Sequence, residues 1–246
     1  MNLTASQAAA YLDTLVPLVA GVDDRDLFVL PAFPSIFVAR DRLAGTNVSW
    51  GAQDVHPDDR GAHTGDVSAP MLADLGARFV EVGHSERRRD HGETPELVAA
   101  KVAAVLRWGM SPVVCVGEPR RCGPEAALAE LLPDLERSLG RVSAGNLGRL
   151  IVAYEPVWAI GEAATAAPPD DVAIVHRAIH GWFDDRAPEG RQVRVIYGGS
   201  VDPAIASELL GRPGIDGLFV GRAALDPATF AAIARTPIAA PTGNPA

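Results

Sequence analysis

Glu155 and His84 are the two residues of this sequence best placed to move a proton. Glu155 closes an apolar, strand-like run, L-I-V-A-Y, and Pro156 follows at once, so its carboxylate is expected to stand on a rigid platform. A carboxylate held in that way can take a proton and return it, which is general acid–base chemistry. An isolated Glu-Pro would read as a solvated strand end. Here it is followed by Trp158, Gly161 and a run of small residues, E-A-A-T-A-A, with little side chain to pack. That segment reads as a light flap beside the base. His84 follows a second such run, F-V-E-V-G, and precedes S-E-R-R, a helix start with Ser85 as N-cap. The positive end of that helix disfavours imidazolium, so His84 is expected to be a neutral hydrogen-bond donor. More residues with chemical potential lie just past other strand-like runs: Gln53, Glu118, Gly198-Gly199-Ser200 and Gly221.

The elements that must position these residues alternate along the chain. Strand-like runs fall at 27–31, 47–51, 79–83, 112–117, 150–154, 193–197 and 217–220, most of them continuously apolar, as parallel strands covered on both faces are. Helical patterns lie at 6–20, 34–40, 69–75, 95–108, 124–139, 170–184, 203–210 and 227–234, several opening with proline in the first turn, where no amide hydrogen is needed. Repeated strand–helix units predict a parallel α/β sheet. An open sheet gathers its site at one switch point, whereas a closed barrel draws on nearly every strand end, and the spread of candidates favours the barrel. Seven strands are visible where a (β/α)8 barrel needs eight, and the chain opens with a helix. One barrel domain over 1–238 with a frayed tail over 239–246 is the expectation, since no linker-like composition divides the chain.

Composition narrows the partners. Among 246 residues, 48% hydrophobic and 22% charged is the balance of a soluble globular protein. No apolar run approaches the ~18–20 residues of a membrane span, and the N-terminus lacks the pattern of a signal peptide. Two cysteines, Cys115 and Cys122, cannot build a disulfide framework, which fits a reducing cytoplasm. A formal charge of −9 argues against nucleic-acid binding without excluding a small anion at a local site. No metal-ligand spacing and no dinucleotide fingerprint appears, so no metal and no cofactor is expected. Cys115, the histidines other than His84, and the 95–108 helix with Lys101, the sequence's single lysine, read as scaffold or surface.

Six motifs in register give the reading its name. V-G-H-S-E-R-R at 82–88, A-Y-E-P-V-W-A-I-G at 153–161, Y-G-G-S-V at 197–201, G-A-Q-D-V at 51–55, G-D-V-S-A-P-M-L at 65–72 and C-V-G-E at 115–118 together resemble the triosephosphate isomerase family, from Met1 to about Leu225. The resemblance implies a TIM (β/α)8 barrel and an aldose–ketose isomerase interconverting glyceraldehyde 3-phosphate and dihydroxyacetone phosphate through an enediolate, in glycolysis and gluconeogenesis. By that resemblance Glu155 would be the base and His84 the neutral electrophile that polarises the substrate oxygens. Glu86 would be the second carboxylate that positions its neighbours. Amides of Gly161, Ser200 and Gly221 would hold the phosphate, at the usual barrel position beyond strands 7 and 8. Residues 158–166 would form a closing lid that shields the enediolate, with Trp158 at one hinge, Ala166 at the far end, and Tyr197 and Ser200 as latch partners. The long loop over 53–70 would project into a second subunit, Thr64 at its tip, making a homodimer.

Three departures from the family pattern are visible. The family's first strand ends N-W-K-M-N, and Met1-Asn2 match only its last two letters, so a strand and its lysine are missing. The simplest expectation is a mis-called start, with about ten further residues before Met1. The lid reads G-E-A-A-T-A where the family has G-T-G-K-T-A, and Arg222 stands in V-G-R where the family has V-G-G. The last two resemble a branch that isomerises a four-carbon tetrulose phosphate in polyol breakdown, which is the alternative substrate. The missing lysine leaves a third reading, a catalytically impaired barrel that binds phosphosugars.

Overall fold

The computed structural model describes residues 1–161, 165–184, 186 and 193–238. Seven parallel strands run in sequence order: β1 (Leu27–Val29), β2 (Val48–Ala52), β3 (Phe79–Val82), β4 (Ser111–Val116), β5 (Ile151–Tyr154), β6 (Arg194–Tyr197) and β7 (Gly217–Leu218). Among the described residues ten α-helices accompany them: α1 (Ala5–Val19), α2 (Ile36–Leu43), α3 (Ala69–Asp74), α4 (Ser85–His91), α5 (Pro95–Arg107), α6 (Pro124–Leu139), α7 (Ala144–Leu147), α8 (Pro169–Asp184), α9 (Pro203–Leu210) and α10 (Pro227–Ala234). Every anticipated strand and helix forms. The short α7 was not anticipated; four residues, A-G-N-L, carry too little periodicity to signal a helix. β7 stops two residues early, and its Gly217 supplies no side chain to pack.

Two layers of apolar packing give the sheet its curl. Phe79, Val113, Cys115, Ile151, Ala153 and Ile196 form one cluster, and along each strand these positions alternate with residues of the larger cluster that meets the helices. The strand period of two therefore separates a barrel interior from an outer layer. Helix termini are specified locally. Thr4 and Gln7 form a reciprocal capping box at α1, Thr94 caps α5 ahead of Pro95, and Asp202 accepts two amides at the start of α9.

Among the described residues β1 pairs only with β2 and β7 only with β6. The two ends of the sheet are tied by other means. Helices α1 and α10 pack together, Arg25 donates to the Thr236 carbonyl at 2.6 Å, and Arg235 donates to the Leu18 carbonyl at 2.8 Å. Asn47 adds two side-chain bonds to the carbonyls of Val19 and Val22. Residues 239–246, read as a frayed tail, lie outside the described residues, as do 162–164 of the flap.

Candidate active site

Glu155 leaves β5 under firm backbone control. Its amide donates to Val116 at 2.7 Å, and the flanking amides of Val157 and Gly198 donate to Glu118 and Tyr154 at 3.0 and 2.8 Å. Gly117 lies so close to this turn that a Cβ there would strike the Glu155 carbonyl oxygen, so only glycine allows the approach. The result is a carboxylate that is 4% exposed at the C-terminal end of the sheet. The expected rigid platform is therefore present.

His84 enters from β3 through Gly83, whose φ of +71° turns the chain sharply. His84, rather than Ser85, is the N-cap of α4, because the imidazole Nδ1 itself accepts the Glu86 amide at 3.3 Å. Its Nε2 lies 2.6 Å from Glu155 Oε1, while Ser85 donates its amide to Glu155 Oε2 at 3.2 Å. The start of α4 thus holds the Glu155 carboxylate and the imidazole together. The imidazole is not shifted toward neutrality as the helix end alone would make it. Burial lowers its proton affinity, but the hydrogen bond it donates to Glu155 and the charges of Glu155, Glu81 and Glu86 outweigh it and push it up to about 9. Glu86 stands in the first turn of α4, its side chain exposed and 3.9 Å from His84 Nδ1, so it reaches the site through backbone and charge.

The flap's flanks are fastened to the barrel. Trp158 donates its indole N–H to Glu118 Oε1 at 2.6 Å and carries Arg121 over its ring. Ser200 places both amide and hydroxyl on the Ala159 carbonyl at 3.0 Å, at the first flank of the flap. The hydroxyl of buried Tyr197 accepts the Ala167 amide at 2.9 Å, one residue beyond Ala166. Gly161 has φ +120°, a conformation suited to glycine, and its carbonyl accepts a hydrogen bond from Arg222. Gly221 precedes Arg222 at the turn after β7 and is exposed. Gly161 and Arg222 therefore meet, although 61 residues apart.

Three residues have visible work that sequence reasoning did not assign, Glu118 having been marked only by its place after a strand-like run. Glu118, 1% exposed, receives both Trp158 and the Tyr154 hydroxyl. Glu81 points into the barrel beneath His84, and a lone charge inside F-V-E-V was the signal for it. Lys101, taken for amphipathic scaffold, is 4% exposed and bonded at 2.5 Å to both Asp54 and Glu93, with Arg87 completing the cluster. A charge so buried requires partners, and these supply them.

The 53–70 loop closes on itself. His56 bridges to Ser68, the His56 and His63 rings stack at 3.9 Å, and Thr64 is exposed at the tip. His56, Asp58 and His63 come close enough to share an ion, but His56 Nδ1 already accepts the Asp58 amide at 3.0 Å and His63 faces Asp58 at 3.2 Å, contacts that shape the loop.

Comparison with known proteins places this geometry. The family model described as triosephosphate isomerase matches residues 1–237. A protein named triosephosphate isomerase from Thermus thermophilus is 44% identical over 238 residues, 96% of this chain and 94% of the relative. One named L-erythrulose-1-phosphate isomerase from Pectobacterium atrosepticum is 44% identical over 216 residues, 87% of this chain and 82% of the relative. A crystal structure of triosephosphate isomerase from Bartonella henselae superimposes with a TM-score of 0.81 at 36% identity, covering 95% and 93% of the two chains.

Proposed function

The chain belongs to the triosephosphate isomerase family, and from that premise we propose that it interconverts glyceraldehyde 3-phosphate and dihydroxyacetone phosphate. The observation that carries the proposal is the contact of 2.6 Å between Glu155 and His84 at the C-terminal end of the sheet. Isomerisation moves a proton between adjacent carbons while their oxygens exchange roles. A carboxylate takes it from one carbon and returns it to the other, and an imidazole N–H steadies the charge developing on the oxygens. Substrate must separate the two side chains, since each then faces a different part of the same carbon pair. That exchange removes Glu155 from His84 and with it the largest influence raising the imidazole's proton affinity, restoring the neutral donor the chemistry needs. The turn after β7 and the Gly161 flank offer amides and a guanidinium to the phosphate.

A second substrate reading rests on Arg222. Its contact with the Gly161 carbonyl ties the last loop to the lid, and a relative named for a four-carbon ketose phosphate is 44% identical over 87% of this chain. Replacing Arg222 by glycine is expected to raise kcat/KM for triose phosphate relative to tetrulose phosphate by about tenfold, a change of ~1.4 kcal/mol. Steady-state kinetics on both substrates in both proteins measures it, and an unchanged ratio removes Arg222 from substrate choice. Absence of turnover on both substrates would overturn the isomerase reading itself.

The partner we propose besides the phosphosugar is a second copy of the chain, working in the cytoplasm. The closed 53–70 loop, with exposed Thr64 at its tip, has the shape of a projection meant for another surface. Sedimentation is expected to give a dimer, and Thr64→Arg to shift it toward monomer with loss of activity. A wild-type monomer with full activity would refute this assignment. No helix among the described residues is long and apolar enough to cross a membrane.

A further inference from the structure

His84 Nε2 lies between two carboxylates, and the isomerisation uses only one of them. Glu155 stands at 2.6 Å and Glu81 at 3.9 Å. Glu81 is the one charged residue of β3, shares the inward parity of Phe79, and is 8% exposed. Its Oε1 accepts the Cys115 thiol at 3.8 Å across the β3–β4 pair. A buried carboxyl in an apolar wall costs stability unless something compensates, and an apolar residue would fit this inner face. When Glu155 turns to substrate, Glu81 is the carboxylate left facing Nε2.

We propose that Glu81 is a positioning residue of the isomerisation, a carboxyl inside the barrel whose charge sets the protonation state His84 holds while Glu155 works on the substrate. This rests on the isomerase reading of the site. The groups facing Glu81 are few. His84 and Glu86 stand beyond the end of its own strand, Cys115 on β4 and Glu155 after β5. Arg88 donates to the Gly83 and Cys115 carbonyls and is paired with Asp134 at 3.1 Å, so its charge is taken up there. Burial raises the Glu81 carboxyl to about 7, with His84 opposing and Glu155 and Glu86 reinforcing the rise. Burial also pushes the Cys115 thiol up, so it remains an uncharged donor. Below about pH 7 Glu81 is therefore a neutral acid, and His84 can act as a neutral donor beside it. Above that pH the anion favours imidazolium on His84 and opposes the negative charge of an enediolate, so turnover is lost as pH rises.

Glu81→Gln carries the shape of the protonated acid and tests this. Profiles of kcat/KM against pH for the two proteins are expected to coincide below about pH 6 and to separate above about pH 7.5, the variant being about threefold or more faster there. The His84 imidazole, followed by nitrogen NMR, is expected to titrate lower by about half a pH unit or more in the variant. Parallel profiles with an unmoved His84 titration overturn the proposal and leave Glu81 as a packing residue, whatever the melting temperature does. If glutamine weakens the fold, Glu81→Leu removes the same charge in a side chain suited to the inner face and is judged by the same two readouts. The titration does not depend on turnover, so a failed isomerase reading and a failed Glu81 role give different results.

Discussion

Replacing Glu155 by glutamine is expected to lower kcat by about a thousandfold or more, the scale of a lost general base. The amide preserves shape and can still accept the Ser85 amide, which now bonds to Glu155 Oε2. It cannot take a proton from carbon. The backbone around residue 155 is held by bonds from neighbouring strands that the side chain does not make, so the melting temperature should stay within a few degrees. Affinity for an inert phosphosugar analogue should change little, because the phosphate contacts proposed above lie on other loops. Glu155→Asp withdraws the carboxylate by about 1 Å, and a displacement of that size is expected to reduce turnover by about a hundredfold. Stopped-flow or coupled assays of both variants decide it. Turnover of the glutamine protein within tenfold of wild type would remove Glu155 from the base role.

Extending the chain before Met1 by about ten residues of strand pattern ending in Trp-Lys is expected to raise kcat/KM by about a hundredfold and to raise the melting temperature. Two observations motivate this. Lys101, the sequence's only lysine, is committed to Asp54 and Glu93, so it offers no ammonium to an anionic substrate. Among the described residues β1 and β7 each pair with one neighbour, and an unsatisfied backbone group that is buried costs roughly 1–3 kcal/mol. A further parallel strand, at about 3.3 Å per residue, would pair with both and deliver its last side chain to the end of the sheet where Glu155 and His84 stand. A control extension ending in Trp-Met separates the strand's stabilisation from the lysine's charge. If the lysine-bearing protein is no faster than this control, the site draws the positive charge it needs from residues already present, with Arg222 the first to examine.

What the sequence by itself determined is the series of elements and the two residues, Glu155 and His84, proposed for the chemistry. Strand and helix periodicity were legible because burial acts on every second residue of a strand and on one stripe of a helix, leaving a local imprint in 79–83 or 95–108. Glu155 and His84 were legible because each stands where an apolar run breaks. Contacts between distant positions left no such imprint. Whether the helix end or Glu155 governs the His84 proton depends on a 2.6 Å contact across 71 residues of chain, which only the tertiary structure decided. The same holds for the bonds from the Ser200 amide and hydroxyl to the Ala159 carbonyl. It holds for Lys101, ordinary on a helical wheel and buried among carboxylates in the fold, and for Arg222 meeting Gly161. Electrostatics and hydrogen bonding are set by distance in space, and the barrel brings strand ends together that the chain keeps apart.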